Sequence, residues 1–285
     1  MADLISVIVA TYQRADALEA VLRSLASQTD REFEVVIADD GSGTETAQVI
    51  GTWSGQMPVP LRHVWHEDLG FRLAEIRNRA IRVSKGAYCI FLDGDCIVRR
   101  NFVAAHRRLA QRGWFVTGNR VLLSPAFTQQ VLRNHLDLHR WGVERWIAAR
   151  LFGRVNRLAP LMRLPLGPLR KLEAKRWRGA RGSNMAFWRE DLERVDGFDA
   201  TFSGWGREDS DIFVRMIRTG VRRKDGRFAT GVLHLWHPEA DRSKLADNER
   251  ALNEALQGGR VRAMRGLSSL IEDTKRAGQF EQECA

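Results

Sequence analysis

The chain has 285 residues, with 45 Lys plus Arg against 35 Asp plus Glu, a formal charge of +10, and 44% hydrophobic residues. That balance fits one or two folded domains and excludes a disordered, collagen-like or disulfide-scaffold chain. Three cysteines without CxxC spacing argue against a disulfide framework or zinc knuckle, and no apolar run approaches the roughly 18 residues that cross a bilayer.

The first element is a short β-branched run over 5–10, read as a buried strand with no basic leader before it, so a cytoplasmic location is expected. Ala17, Leu18, Val21, Leu22 and Leu25 then recur at helical spacing over 15–28. A second apolar strand, 33–38, runs into Asp39-Asp40-Gly41-Ser42-Gly43. A helical stretch, a strand over 61–65 and a helix over 73–83 follow. The run Tyr88-Cys89-Ile90-Phe91-Leu92 is a further strand and ends in Asp93-Gly94-Asp95. Strands alternating with helices predict an α/β fold, Rossmann-like, with a mostly parallel sheet flanked by helices. Ligands in such sheets bind beyond the carboxyl ends of strands, so Thr11-Tyr12, Asp39-Asp40 and Asp93–Asp95 should share one crevice.

Residues 131–178 differ in character. Twelve basic residues stand against Asp137, Glu144 and Glu173, a local net of +9, interleaved with Leu, Ile, Val, Phe and three tryptophans. Pro160, Pro165 and Pro168 suggest two short helical pieces around a kink. Patterned sequence resumes over 179–240, and 241–285 reads as a helical tail, polar helix over about 241–277. The expected organisation is therefore a nucleotide-binding half (1–130), a basic amphipathic insertion, a second half of the same domain (179–240) and that tail.

Asp93 and Asp95, one residue apart after an apolar strand, suit a hard divalent cation held beside a ribose or phosphate. Alone, Asp-Gly-Asp is also ordinary turn chemistry. Glu208, Asp209 and Asp211 could simply complement a helix dipole, though that leaves Gly204-Trp205-Gly206 unexplained. Thr11 and Asn78 could cap helices, and Arg77 and Arg79 read as solvated helix charges. His234 and His237 follow a strand-like run, and imidazole would favour manganese over magnesium.

Taken together, Ile5–Arg14, Asp39-Asp40-Gly41-Ser42, Gly70-Phe71-Arg72 with Arg77-Asn78, and Phe91–Asp95 stand in the order and spacing of family 2 glycosyltransferases with a GT-A fold. Residues 4–105 resemble that family. A second block, Gly182-Ser183-Asn184-Met185 through Val195–Asp199 to Gly204–Asp209, resembles the C-terminal galactosyltransferase-type region of β-1,4-galactosyltransferases and bacterial chondroitin-type polymerases. The resemblance implies that Thr11, Tyr12, Arg14, Asp40, Arg72, Asn78, Asp93 and Gly94 hold the nucleotide sugar. It implies metal ligation by Asp95 and His237, and by His234 in some relatives. Asp209, ending the WGxED element, would be the base, with Glu208 holding the acceptor and Trp205 facing a sugar ring. Arg207 stands where glycine is frequent. Asn184 and Met185 are expected near the donor or acceptor sugar.

The implied function is inverting, Mn2+- or Mg2+-dependent transfer from a UDP-sugar to a glycan or lipid-linked saccharide, in cell-surface polysaccharide or lipopolysaccharide assembly. A sugar nucleotidyltransferase would carry a Gly-rich loop after the first strand, which Ala10–Arg14 lacks. A non-catalytic binding protein would be indifferent to loss of Asp95 or Asp209. For the basic segment, an anionic membrane surface on the inner face of the cytoplasmic membrane is the favoured partner. An ordinary basic surface is the alternative, and no nucleic acid is expected.

Overall fold

The computed structural model describes residues 4–270. In chain order the elements are β1 (Ile5–Thr11), α1 (Ala15–Ala26), β2 (Phe33–Asp39), α2 (Thr44–Ser54), β3 (Leu61–Trp65), α3 (Leu73–Val83), β4 (Tyr88–Asp93) and β5 (Cys96–Ile97). There follow α4 (Phe102–Leu109), β6 (Trp114–Thr117), β7 (Arg120–Leu122), α5 (Pro125–Arg133), α6 (Val143–Leu151), β8 (Asn184–Trp188) and α7 (Arg189–Arg194). The described elements close with α8 (Glu208–Arg218), β9 (Arg222–Asp225), β10 (Val232–His234) and α9 (Leu245–Gly258).

Successive strand side chains point to opposite faces, and continuous apolar runs in β1, β2 and β4 therefore need cover on both sides. Val7, Val9, Val35, Ile37, Ile90 and Leu92 pack with α1 residues such as Leu18 and Leu22. Ile8, Val36, Cys89 and Phe91 pack on the other face with Ile76, Ile81, Ile212 and Phe213. The seven-stranded sheet runs β3-β2-β1-β4-β8-β6-β9, parallel from β3 to β4, with β8 antiparallel between β4 and β6.

Two pairings position the site. Asn184 of β8 lies opposite Leu92 of β4, so Gly182 and Ser183 fall beside the Asp93 turn. A second sheet, β5-β10-β7, sets His234 opposite Cys96 on one side and Leu122 on the other. The 179–240 region thus completes the sheet begun by the first 130 residues.

Three expectations change. The first helix stops at Ala26 because Gln28 turns inward, its amide bonding Ser24, Arg99 and Val103 backbone. In the basic segment only α6 is α-helical beyond the end of α5; Pro160 and Pro168 open 3-10 turns over 159–161 and 167–171. The tail helix ends at Gly258, where Gly259 takes a left-handed conformation (φ 71°) that terminates it. Residues 271–277 of the expected helix lie outside the described residues.

Candidate active site

A cleft of about 1020 Å³ opens at the carboxyl ends of β1 and β4, between the Asp93 turn, the start of α8 and one face of α9. That is ample for a nucleotide sugar and part of an acceptor. The turn reaches it because residue 94 is glycine: a Cβ there would lie 2.7 Å from the Ala10 carbonyl oxygen.

On one wall, donor atoms of Asp93, Asp95, Cys96 and His234 all lie within 4.8 Å of one another. His237 Nε2 lies 3.3 Å and His234 Nε2 3.5 Å from Asp95 Oδ2. His237 Nδ1 donates to the Pro238 carbonyl at 2.6 Å, since a carbonyl only accepts, and this leaves Nε2 as the ring nitrogen that faces Asp95. Burial draws His234 down to about 4, leaving it in its neutral, ligating form. Burial pushes Asp93 up to about 6, opposed by Arg77 and aided by Asp95. Two carboxylates and two imidazoles with converging lone pairs fit a divalent cation, whose charge would reverse that shift. The Cys96 thiol donates to Asp95 Oδ1 at 3.5 Å, and burial raises it well above its usual range.

Opposite stands the N-terminus of α8. Gly204 (φ 72°), Gly206 (φ 103°) and Arg207 (φ 79°) turn the chain sharply before Glu208, and Arg207 is braced by Glu249 of α9 at 2.5 Å. Asp209 is aimed by two donors, the Gly182 amide at 2.8 Å to Oδ2 and Ser210 Oγ at 3.2 Å to Oδ1. Burial, then Asp209, pushes Glu208 up to about 7, with Arg77 opposing. Trp205 is partly exposed, with Arg242 4.9 Å from its ring centroid.

Toward β1 and β2, Thr11 Oγ1 is buried without a hydrogen-bond partner. Exposed Tyr12 donates to Asp68 at 2.9 Å. Asp40 accepts from the Arg72 amide at 2.9 Å and bonds His66 Nε2 at 2.6 Å. Arg14, also on the cleft, pairs with Asp16 at 2.9 Å.

Four expected site residues do not present side chains to the cleft. Arg72 turns its guanidinium to Glu75 and the Glu67 carbonyl, leaving its amide to hold Asp40. Asn78 spends both ends of its amide on Phe198, at 2.7 and 2.8 Å. Asn184 is buried between His106 and the Thr230 carbonyl, and Met185 is wholly within the core.

Arg77, read from sequence as solvated, is 1% exposed. Its Nη2 lies 3.2 Å from Asp93 and its Nη1 3.5 Å from Glu208, whereas Arg79 is half-buried and pairs with Glu75 away from the cleft. The signal was present: Ala74, Arg77 and Ile81 share one helical face. The wall from α9, with Leu245, Leu252 and Asn253, carried no such signal.

A model described as glycosyl transferase family 2 matches residues 6–164, and one described as the N-terminal domain of galactosyltransferase matches 171–237. Validoxylamine A glucosyltransferase of Streptomyces hygroscopicus subsp. jinggangensis is 31% identical over 242 residues, 80% of this chain and 55% of that protein. Chondroitin synthase of Escherichia coli is 24% identical over 239 residues, 76% of this chain and 33% of its own length. The chain thus spans about half, or less, of the length of these curated relatives. Among solved structures, a mannosyltransferase from Pyrobaculum calidifontis in complex with GDP-Man and Mn2+ superposes with TM-score 0.57 at 22% identity, over 84% of this chain and 58% of its own. S. aureus TarS 1–349 in complex with UDP gives 0.53 at 16%, over 88% and 70%. These likenesses establish the GT-A fold.

Proposed function

This chain belongs to glycosyl transferase family 2, and from that footing we propose that it transfers a sugar, with inversion, from a UDP-sugar to a saccharide acceptor. The observation that carries the reading is one cleft with a metal-type cluster on one wall and a donor-aimed carboxylate, Asp209, on the other.

Asp95, His237 and His234 would hold Mn2+ or Mg2+, with Asp93 beside them for the ribose. The bound ion supplies charge neutralisation for a departing diphosphate. Every other role falls to the chain. The exposed Tyr12 ring offers a face to the nucleobase, Asp40 an acceptor, and the partnerless Thr11 hydroxyl a donor. Asp209 takes the proton of the acceptor hydroxyl as the sugar carbon develops positive character. A single base needs no covalent intermediate, so an α-linked donor gives a β-linked product. Glu208, held near neutrality by burial, can donate to the acceptor as well as accept. Trp205 supplies an apolar face for an acceptor ring.

Calorimetry tests this directly. UDP should bind in the presence of Mn2+, and Asp95→Ala should abolish the manganese-dependent part while leaving the folded signal intact. Binding of GDP or dTDP in place of UDP would overturn the donor assignment. Anomeric NMR of the product decides inversion.

A further inference from the structure

The basic segment leaves one helix face without a partner. α6 buries Trp146 and Ala149. Trp141 packs against Phe127 and Trp146, with centroids 5.7 and 5.1 Å apart, so these tryptophans belong to the core rather than to an outer surface. The outward residues are aliphatic instead. Val143, Ile147 and Leu151, at i, i+4 and i+8, form one stripe and are 68, 47 and 79% exposed, and the following Phe152 is 76% exposed.

Arg150 flanks this stripe on one side and Glu144 on the other, while Arg145 projects from the opposite side of the helix. Half-buried Arg154 follows in the next turn, and among the described residues neither Arg150 nor Arg154 forms an ion pair. Arg154 lies 5.8 Å from the Phe152 ring centroid. Unpaired arginines beside a contiguous apolar stripe, in a segment of net +9, complement a surface that is anionic outside and apolar beneath.

We propose that this face of α6, with Phe152, docks on an anionic lipid bilayer, the aliphatic stripe entering the headgroup boundary and the arginines meeting lipid phosphates. No helix among the described residues is long and apolar enough to cross a membrane, so the contact is peripheral. The surface is tied to the cleft. The Asn156 amide donates to Leu122 at 3.1 Å, and Leu122 pairs in register with His234, a candidate ligand one strand spacing, about 4.8 Å, away.

Co-sedimentation of the 285-residue chain with vesicles tests this. Vesicles of phosphatidylcholine with roughly one third phosphatidylglycerol should bind it at least about tenfold better than phosphatidylcholine alone. Ile147→Glu/Leu151→Glu, both exposed positions, should lower that binding at least about tenfold at unchanged denaturant midpoint. No binding to anionic vesicles, or equal binding by the variant, overturns the proposal. So does a wild-type dimer in size-exclusion that the variant converts to monomer without any lipid binding, since a second copy then covers the face. UDP calorimetry on the same samples reads the transfer site separately, so failure of one assignment leaves the other standing.

Discussion

Arg77 holds two carboxylates at once: its guanidinium lies 3.2 Å from Asp93 and 3.5 Å from Glu208, the latter 131 residues further along the chain. This buried cation links the wall of the cleft that carries Asp93 and Asp95 to the wall that carries Asp209. Its charge opposes the cost of burying Glu208, and the ring of Phe198 lies 5.3 Å beneath it.

Replacing Arg77 should therefore damage stability as well as turnover. Arg77→Met removes the counter-charge from Asp93 and Glu208, so both carboxyls should hold a proton to higher pH and stability should fall, by less than the about 3–5 kcal/mol lost when a fully charged buried pair is broken. Adding Glu208→Gln should recover part of that loss. Urea titration of the two single variants and the double variant measures the coupling; strict additivity would refute the pairing.

Asp209→Asn keeps the size of the side chain and removes its basicity. Turnover should drop by about 10²–10⁴, while Mn2+-dependent UDP binding stays within about threefold of wild type. Comparing initial rates with calorimetry on one preparation separates these effects. Loss of nucleotide binding together with turnover would move Asp209 to the donor side.

Gly94→Ala puts a methyl group 2.7 Å from a backbone oxygen, where no side chain can yield. The Asp93 turn must lift off β1, which should cost about 1–3 kcal/mol and weaken metal and UDP binding together. A variant that binds UDP and manganese normally would show the turn to be more compliant than its packing implies.

His106 sets an acid limit. It is fully buried, with its Nε2–H donating to Asn184 at 3.2 Å, and burial lowers it to about 3. An unfolded histidine titrates near 6.5, so between the two values the unfolded chain binds the extra proton. The contribution is complete above about pH 6.5 and is lost as pH falls through that window, by about 2 kcal/mol between pH 7 and pH 5. Urea midpoints for wild type and His106→Gln should converge at the lower pH. Parallel curves would mean the ring is charged at little cost.

Much of this was legible along the chain. Apolar runs of β-branched residues announce buried strands, and helical spacing announces α1 and α3, because both signals are local: a side chain's face follows from its position within a few residues. The acidic turns were legible too, since a strand's carboxyl end is where polar residues can first meet solvent. Direction within the site was not. Asn78 and Asn184 look like ligand contacts in sequence, yet each is consumed by backbone from far along the chain, Phe198 for Asn78 and the Thr230 carbonyl for Asn184. Arg77 looks like a surface charge, yet α3 turns it inward onto two carboxylates. His234 and His237 reach Asp95 only because β10 lies antiparallel to β5. Composition and periodicity thus determined which segments become strands and helices and which ends carry polar chemistry. The pairing of distant strands decided which polar groups are satisfied by the protein and which are left facing the cleft, because a buried hydrogen-bonding group takes whatever partner packing supplies.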